Sequence, residues 1–225
     1  SNFTNWRILV PKEVTMEIPY NYIVIEGCIG AGKTTFSRML SNDINARLIL
    51  EQFEDNSFLP KFYKEPEKYA FPLELSFLAE RYQQLKKEVS PGDLFHQHTI
   101  SDYFIQKSLI FAKATLQDDE FNLYQKLFQI IHPQLPTPDL IVYLYNPIER
   151  LLENIRKRGR SYEAQIPPEY LERIQQGYFD YFRLFPNNRI VIVDAGKLDF
   201  VSNINDYDYL KKVLQSEYPA GINRV

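Results

Sequence analysis

Apolar residues fall along this chain in two patterns. Four runs are continuous or nearly so: "YIVIEG" (22–27), "RLIL" (47–50), "DLIVYL" (139–144) and "RIVIVD" (189–194). Unbroken runs of this length predict short strands buried on both faces. A fifth, "FHQHTI" (95–100), is also read as a strand. Between the runs, apolar positions recur at helical spacing over 34–44, 71–89, 102–116, 120–131, 147–156, 167–184 and 204–216. Continuous strands that alternate with helices predict an α/β fold: a parallel five-stranded sheet covered by helices on both faces. No internal repeat, low-complexity segment or linker interrupts the pattern, so residues 16–225 are expected to form a single domain. Residues 1–15 read as a tag remnant or an N-terminal extension and are set apart from the fold.

Composition narrows the class. The chain has 225 residues, 44% of them hydrophobic and 24% charged, enough to bury a sizeable core. Its formal net charge of −3 gives no general basic surface, so nucleic acid is not an expected partner. One cysteine excludes an internal disulfide and a cysteine zinc site. No apolar run reaches membrane-spanning length and no signal peptide is visible, so the expectation is a cytoplasmic protein without a membrane partner. Against this background "NIRKRGRSYE" (154–163) is unusual. It gathers Arg156, Lys157, Arg158 and Arg160 in five positions, with Glu163 three residues later. Like charges repel, so such a cluster calls for an anion or solvent.

The anion is suggested by "GCIGAGKT" (27–34), which fits G-x-x-x-x-G-K-[ST] at every fixed position. A strand is expected to end at Glu26 and a helix to open at Lys33, as a P-loop requires. Its glycines let backbone N–H groups converge on phosphate oxygens, and the helix N-terminus adds positive dipole. Gly27, Gly30, Ala31, Gly32, Lys33, Thr34 and Thr35 are the expected triphosphate-binding residues. Lys33 would reach the β- and γ-phosphates and Thr34 would ligate Mg²⁺. An NTPase motor or switch usually carries a second acid after an apolar strand. "DLIVYLYN" ends without one, whereas "HTISD" ends in Asp102. The balance favours a small-molecule kinase of the P-loop fold. A kinase also needs a group near its attacking hydroxyl. Glu51, directly after "RLIL", lies at the carboxyl edge of the sheet, where ligands of open α/β sheets bind.

Several further stretches narrow this reading: "LILEQFEDN", "FYKEPEKYAFPLELSFLAERYQQL", "KSLIFAKATL", "PDLIVYL", "RKRGRSYEAQIPPEYLE" and "DAGKLDF". With them, from about residue 22 to the last helix, the chain resembles the deoxyribonucleoside kinases of the deoxycytidine, deoxyguanosine and deoxyadenosine kinase type. The R-G-R-x-x-E-x-x-I-P-x-x-Y-L string is the narrowest of these signals. The resemblance implies ATP- and Mg²⁺-dependent phosphorylation of a deoxyribonucleoside 5′-hydroxyl in nucleotide salvage. It also implies two small-molecule ligands and a homodimer.

The resemblance further implies roles for single residues. The segment at about 155–165 resembles a lid, with Arg158 and Arg160 at the transferring phosphoryl group and Glu163 at the sugar 3′-hydroxyl. Glu51 resembles the catalytic base and Tyr63 the tyrosine that shares the 3′-hydroxyl. Glu74 stands where a base-reading glutamine is usual. Arg81 matches an arginine farther along the same helix, Phe111 the aromatic that stacks on the base, and Asp199 with Phe200 the loop around the ATP adenine. Spacing agrees in part: Glu74, Leu78, Arg81 and Leu85 step along one helix face, as do Lys107, Phe111 and Ala114 on another.

The chain also departs from that family. Asn154 stands where a lid arginine is common, and Lys107 replaces an acid that faces the base. Where an acid-Arg-Ser triplet is usual, the text is "SDYF", which leaves Asp102 as a metal or 5′-hydroxyl contact and removes the arginine. An ionised Glu74 only accepts hydrogen bonds, so it favours bases whose edges present donors. With Lys107 or Arg81 as complementary donors, purines are expected to be preferred, deoxyadenosine over deoxyguanosine, with deoxycytidine next and thymidine last. A catalytically silent relative acting as a structural or interaction subunit is the alternative reading. A thymidylate-type nucleoside monophosphate kinase is the third.

Overall fold

The computed structural model describes residues 17–89 and 93–225. The segment set apart as a tag remnant or extension, 1–15, lies outside the described residues. Among the described residues six strands form one sheet: β1 (Tyr22–Glu26), β2 (Arg47–Ile49), β3 (Thr99–Ser101), β4 (Leu140–Tyr145), β5 (Arg189–Asp194) and β6 (Gly221–Arg224). Their order is β2-β3-β1-β4-β5-β6, and every neighbouring pair is parallel. The expected α/β class is therefore correct, but the sheet has six strands and not five. β6 escapes the sequence pattern because "GINR" alternates between half-buried and exposed positions at the sheet edge, with no continuous apolar run to announce it.

Eight α-helices among the described residues flank the sheet: α1 (Lys33–Ile44), α2 (Leu59–Lys64), α3 (Pro66–Glu88), α4 (Lys107–Thr115), α5 (Asp118–Ile131), α6 (Ile148–Arg158), α7 (Pro168–Leu184) and α8 (Ile204–Gln215). Three boundaries differ from the sequence expectation for local reasons. α3 starts at Pro66, which takes the first helical position, while Pro72 lies inside the helix. β3 starts at Thr99 because the Asp93 carboxylate accepts the N–H groups of Phe95 and His96, tying that backbone into a turn. α4 starts at Lys107 and not at 102, since Ser101 Oγ donates to the Tyr103 carbonyl (2.7 Å) and Phe104 N–H turns to the Glu26 carboxylate (3.3 Å). α5 begins as expected around the paired acids, with a capping box between Gln117 and Glu120.

β1 is buried at all five positions, and β4 at five of six. Around them Tyr143, Tyr178 and Phe182 form an aromatic core between sheet and α7. On α1, Phe36 meets Tyr207 of α8. No helix among the described residues is long and apolar enough to cross a membrane. The consequence for function lies at one edge. The central strand β1 is flanked by β3 and β4, so the chain crosses sides at β1, and strand ends carrying the P-loop, Glu51 and Asp102 converge there.

Candidate active site

The P-loop leaves β1 at Glu26 and enters α1 at Lys33. Gly32, the residue before the helix, has φ +86°, a left-handed conformation suited to glycine. A Cβ there would also lie 2.9 Å from the ring of Phe200, which itself packs edge-on against Phe36 at 5.6 Å. Lys33 Nζ donates to the carbonyls of Gly27 and Cys28, both at 3.0 Å. Burial pulls its pKa down, and neighbouring Lys107 adds to the effect. Thr34 Oγ1 donates to Asp102 Oδ2 at 2.6 Å, and Asp102 Oδ1 accepts the Glu51 N–H at 2.7 Å. Asp102 thus ties the P-loop helix to the end of β2.

Glu51 is the most constrained charge at this edge. Arg81 approaches one carboxylate oxygen with Nε at 2.7 Å and Nη2 at 2.6 Å, and Lys107 Nζ meets the other at 2.5 Å. Burial alone would raise the Glu51 pKa, but the two cations outweigh it and hold the carboxyl at about 2. Arg81 is steadied by Ser108 Oγ at 3.0 Å and lies over the Phe77 ring at 4.8 Å. The sequence reading offered Arg81 and Lys107 to the base. Here both line the cavity, and both charges are engaged by Glu51.

Beyond Glu51 lies a cavity of about 120 Å³. Tyr63, Glu74, Phe111 and Glu163 line it, together with Phe53, Leu59, Phe62, Leu73, Phe77 and Tyr170. Lys33, Thr34, Asp102, Arg158 and Arg160 complete the wall toward the P-loop. Glu74 is 1% exposed, and its Oε2 has no partner among the described residues. The phenol of Tyr63 stacks on Tyr162 at 6.1 Å, and burial, with Glu163 beside it, pushes its pKa up.

The cationic segment closes over this cavity. α6 ends at Gly159, whose φ of +73° lets the chain leave the helix and turn back. Arg158 then makes a two-point contact with Glu163, with Nη2 to Oε1 at 2.7 Å and Nε to Oε2 at 3.1 Å. Arg160 reaches the same carboxylate at 3.3 Å and covers the Phe53 ring at 4.4 Å. Asn154 donates to the Gly30 carbonyl at 2.9 Å, so it pins the P-loop where an arginine would have carried charge. On the other side of the P-loop a groove of about 350 Å³ is lined by Gly30, Ala31, Gly32, Thr35, Arg158, Asp199 and Phe200. The expected residues therefore form two adjoining spaces that meet at Gly30 and Arg158. Gly27 contributes through its carbonyl.

Comparison with known proteins places the chain in a family. The family model for deoxynucleoside kinases matches residues 23–216. The chain belongs to the deoxynucleoside kinase family. It is 37% identical to a deoxyguanosine kinase of Bacillus subtilis (strain 168), covering 83% of this chain and 92% of that one. It is 32% identical to a deoxyadenosine kinase of Dictyostelium discoideum, over 88% of this chain and 80% of that one. A solved deoxyadenosine kinase from M. mycoides, with bound dCTP, superposes with a TM-score of 0.75 at 26% identity, covering 87% of this chain and all of that one. The chain is accordingly a deoxynucleoside kinase, a phosphotransferase whose family implies ATP as phosphate donor.

Sequence reasoning missed other residues of this kinase's cavities. Phe53 and Tyr170 wall the inner cavity, and Asn146 and Arg150 line the groove. Phe53 follows Glu51 by two residues, and Arg150 precedes Asn154 by one helical turn, so both carried a local signal. Tyr170 stands within the R-G-R-x-x-E-x-x-I-P-x-x-Y-L string, yet nothing in the string itself said that the packing of α7 turns it into the cavity.

Proposed function

We propose that this kinase transfers the γ-phosphoryl group of ATP to the 5′-hydroxyl of a purine deoxyribonucleoside, deoxyadenosine ahead of deoxyguanosine, with deoxycytidine accepted less well. The observation that carries this reading is Glu51. It is held by Arg81 and Lys107 at the mouth of the inner cavity, beside Thr34 and Asp102 of the phosphate-binding side.

In this reading the deoxynucleoside occupies the inner cavity, with its sugar between Tyr63 and Glu163 and its base against Phe111 and Glu74. Glu51 accepts the hydrogen bond of the 5′-hydroxyl and fixes its line of attack. A carboxylate held near pKa 2 is a weak base. Phosphoryl transfer through a loose transition state asks more for positioning than for strong basicity. The proton therefore leaves late, when the O–P bond is largely formed. Lys33, Arg158 and Arg160 meet the charge that develops on the transferring oxygens. Arg158 and Arg160 also contact Glu163, which couples the lid to the sugar site. The adenine of ATP lies along Asp199 and Phe200.

Thr34 Oγ1 and the Asp102 carboxylate form a pair of hard oxygen donors beside the P-loop, which fits Mg²⁺ shared with substrate phosphates. When bound, the ion would neutralise charge between the β- and γ-phosphates. The proposal also covers one kinase domain over 16–225, a lid at about 155–165, a cytoplasmic location and a homodimer. A nucleoside monophosphate acceptor is disfavoured, because its phosphate would face the Glu51 and Glu163 carboxylates.

The test is a kinetic panel of the four deoxynucleosides with ATP and Mg²⁺, with product identified as the 5′-monophosphate. The reading expects the purines to give the highest specificity constants and thymidine the lowest. A preference for thymidine, or for a deoxynucleoside monophosphate as acceptor, would overturn it.

A further inference from the structure

The charges of the inner cavity do not pair one to one. Arg81 and Lys107 both close on Glu51, so the buried Glu74 carboxylate in the same cavity has no cation in direct contact. Its Oε2 has no partner among the described residues. Its Oε1 has one long contact, 3.5 Å from Thr115 Oγ1, and that hydroxyl also donates to the Phe111 carbonyl at 2.8 Å. Both oxygens of a fully buried side chain are thus available to whatever fills the cavity.

The groups around Glu74 come from five elements. Arg81 stands two turns along the same helix, and Lys107 and Thr115 belong to α4. Tyr124 of α5 donates to the Glu74 backbone carbonyl at 3.3 Å. Glu51 follows β2, and Tyr170 comes from α7. Burial raises the Glu74 carboxyl to about 7; Arg81 opposes the rise, Glu51 adds to it, and Thr115 and Lys107 oppose it more weakly. None of its ionisable neighbours is placed to titrate in the same range: Glu51 is held at about 2, while Arg81, Lys107, Tyr124 and Tyr170 are all raised above their ordinary values.

The two forms of a carboxyl group present different patterns. The neutral acid offers one donor and one acceptor, and the ionised form offers two acceptors. Adenine presents N6–H beside the N1 acceptor, and cytosine presents N4–H beside the N3 acceptor. Guanine presents the O6 acceptor, N1–H and the 2-amine in a row, so it can meet either form, and its two adjacent donors suit the carboxylate. We infer that the protonation of Glu74 sets the base preference: the neutral acid admits adenine and cytosine, and the carboxylate turns the site toward guanine. This deepens the proposed function and rests on its placement of the base against Glu74. The wrong form sets acceptor against acceptor or leaves a buried polar group unpaired, a mismatch worth on the order of tenfold in specificity.

The test is the ratio of kcat/KM for deoxyadenosine over deoxyguanosine, measured by competition in one mixture from roughly pH 5.5 to 8.5, across the range in which such a carboxyl titrates. Competition cancels proton effects on phosphoryl transfer and folding that both substrates share. The ratio is expected to fall about tenfold or more as pH rises, with deoxycytidine following deoxyadenosine. In Glu74→Gln the amide keeps donor and acceptor at every pH, so its ratio should be flat. A flat parental ratio, with base preference still changed by Glu74→Gln, would overturn the two-form reading and leave Glu74 as a base contact. A ratio moved by neither pH nor substitution would remove Glu74 from the base site altogether.

Discussion

Arg158 and Glu163 form a two-point ion pair across the turn at Gly159, with Arg158 Nη2 2.7 Å from Oε1 and Nε 3.1 Å from Oε2. The arginine side chain is 34% exposed and the glutamate 5%, so the pair joins a solvent-facing cation to a buried acid. Five residues separate them in sequence, and the turn at Gly159 brings them together.

In the proposed mechanism the Arg158 charge acts on the phosphoryl group in transit. Arg158→Ala should therefore lower kcat by roughly 10²-fold or more, while the deoxynucleoside Kd moves only a few fold because Arg160 still contacts Glu163. Turnover at saturating substrate and calorimetric binding check this. A loss confined to Kd would make the pair a structural clasp.

Glu74 carries a stability signature of its own. Its carboxyl is raised from the ordinary 4.5 to about 7 by burial. The folded state then holds a proton that the unfolded state releases between those values, so this contribution is complete below about 4.5 and is lost as pH rises through about 7. Glu74→Gln cannot ionise. Its stability relative to the parent should rise with pH over that window by on the order of 2–3 kcal/mol and change little outside it. Urea unfolding of both proteins at several pH values measures the gap. A gap independent of pH would mean that Glu74 titrates normally in the fold.

Gly32 has two constraints at once: a φ of +86° and the Phe200 ring 2.9 Å from where a Cβ would sit. Gly32→Ala should destabilise the fold by about 1–3 kcal/mol. It should also raise the KM for ATP several fold, since Phe200 and the P-loop share the groove that the proposed function gives to ATP. Thermal unfolding and ATP kinetics test both effects. An unchanged KM would separate Phe200 from donor binding.

Much of this geometry was readable before the structure because it depends on short fixed spacings. Gly27 to Thr34, Glu51 at a strand end, and Arg158 to Glu163 are each contained within one turn or loop. Buried strands such as β1 and β4 declared themselves by continuous apolar residues. The contacts that remained hidden join distant segments. Arg81 and Glu51 lie 30 residues apart and Lys107 and Glu51 lie 56 apart, and nothing in either local pattern says that both cations meet one carboxylate. The same pairing leaves Glu74 without a cation, a consequence of three-dimensional charge balance. β6 was missed for the opposite reason: its half-exposed edge position never required an apolar run.

The central claim is that the clamped Glu51 carboxylate orients the attacking hydroxyl. The most direct measurement is kcat for Glu51→Gln with deoxyadenosine, ATP and Mg²⁺, alongside deoxyadenosine Kd. It should be made well below the melting temperature, since the amide leaves Arg81 and Lys107 without their counter-charge. The account predicts a fall in kcat of roughly 10²-fold or more with Kd within a few fold. Equal turnover in parent and variant would contradict it.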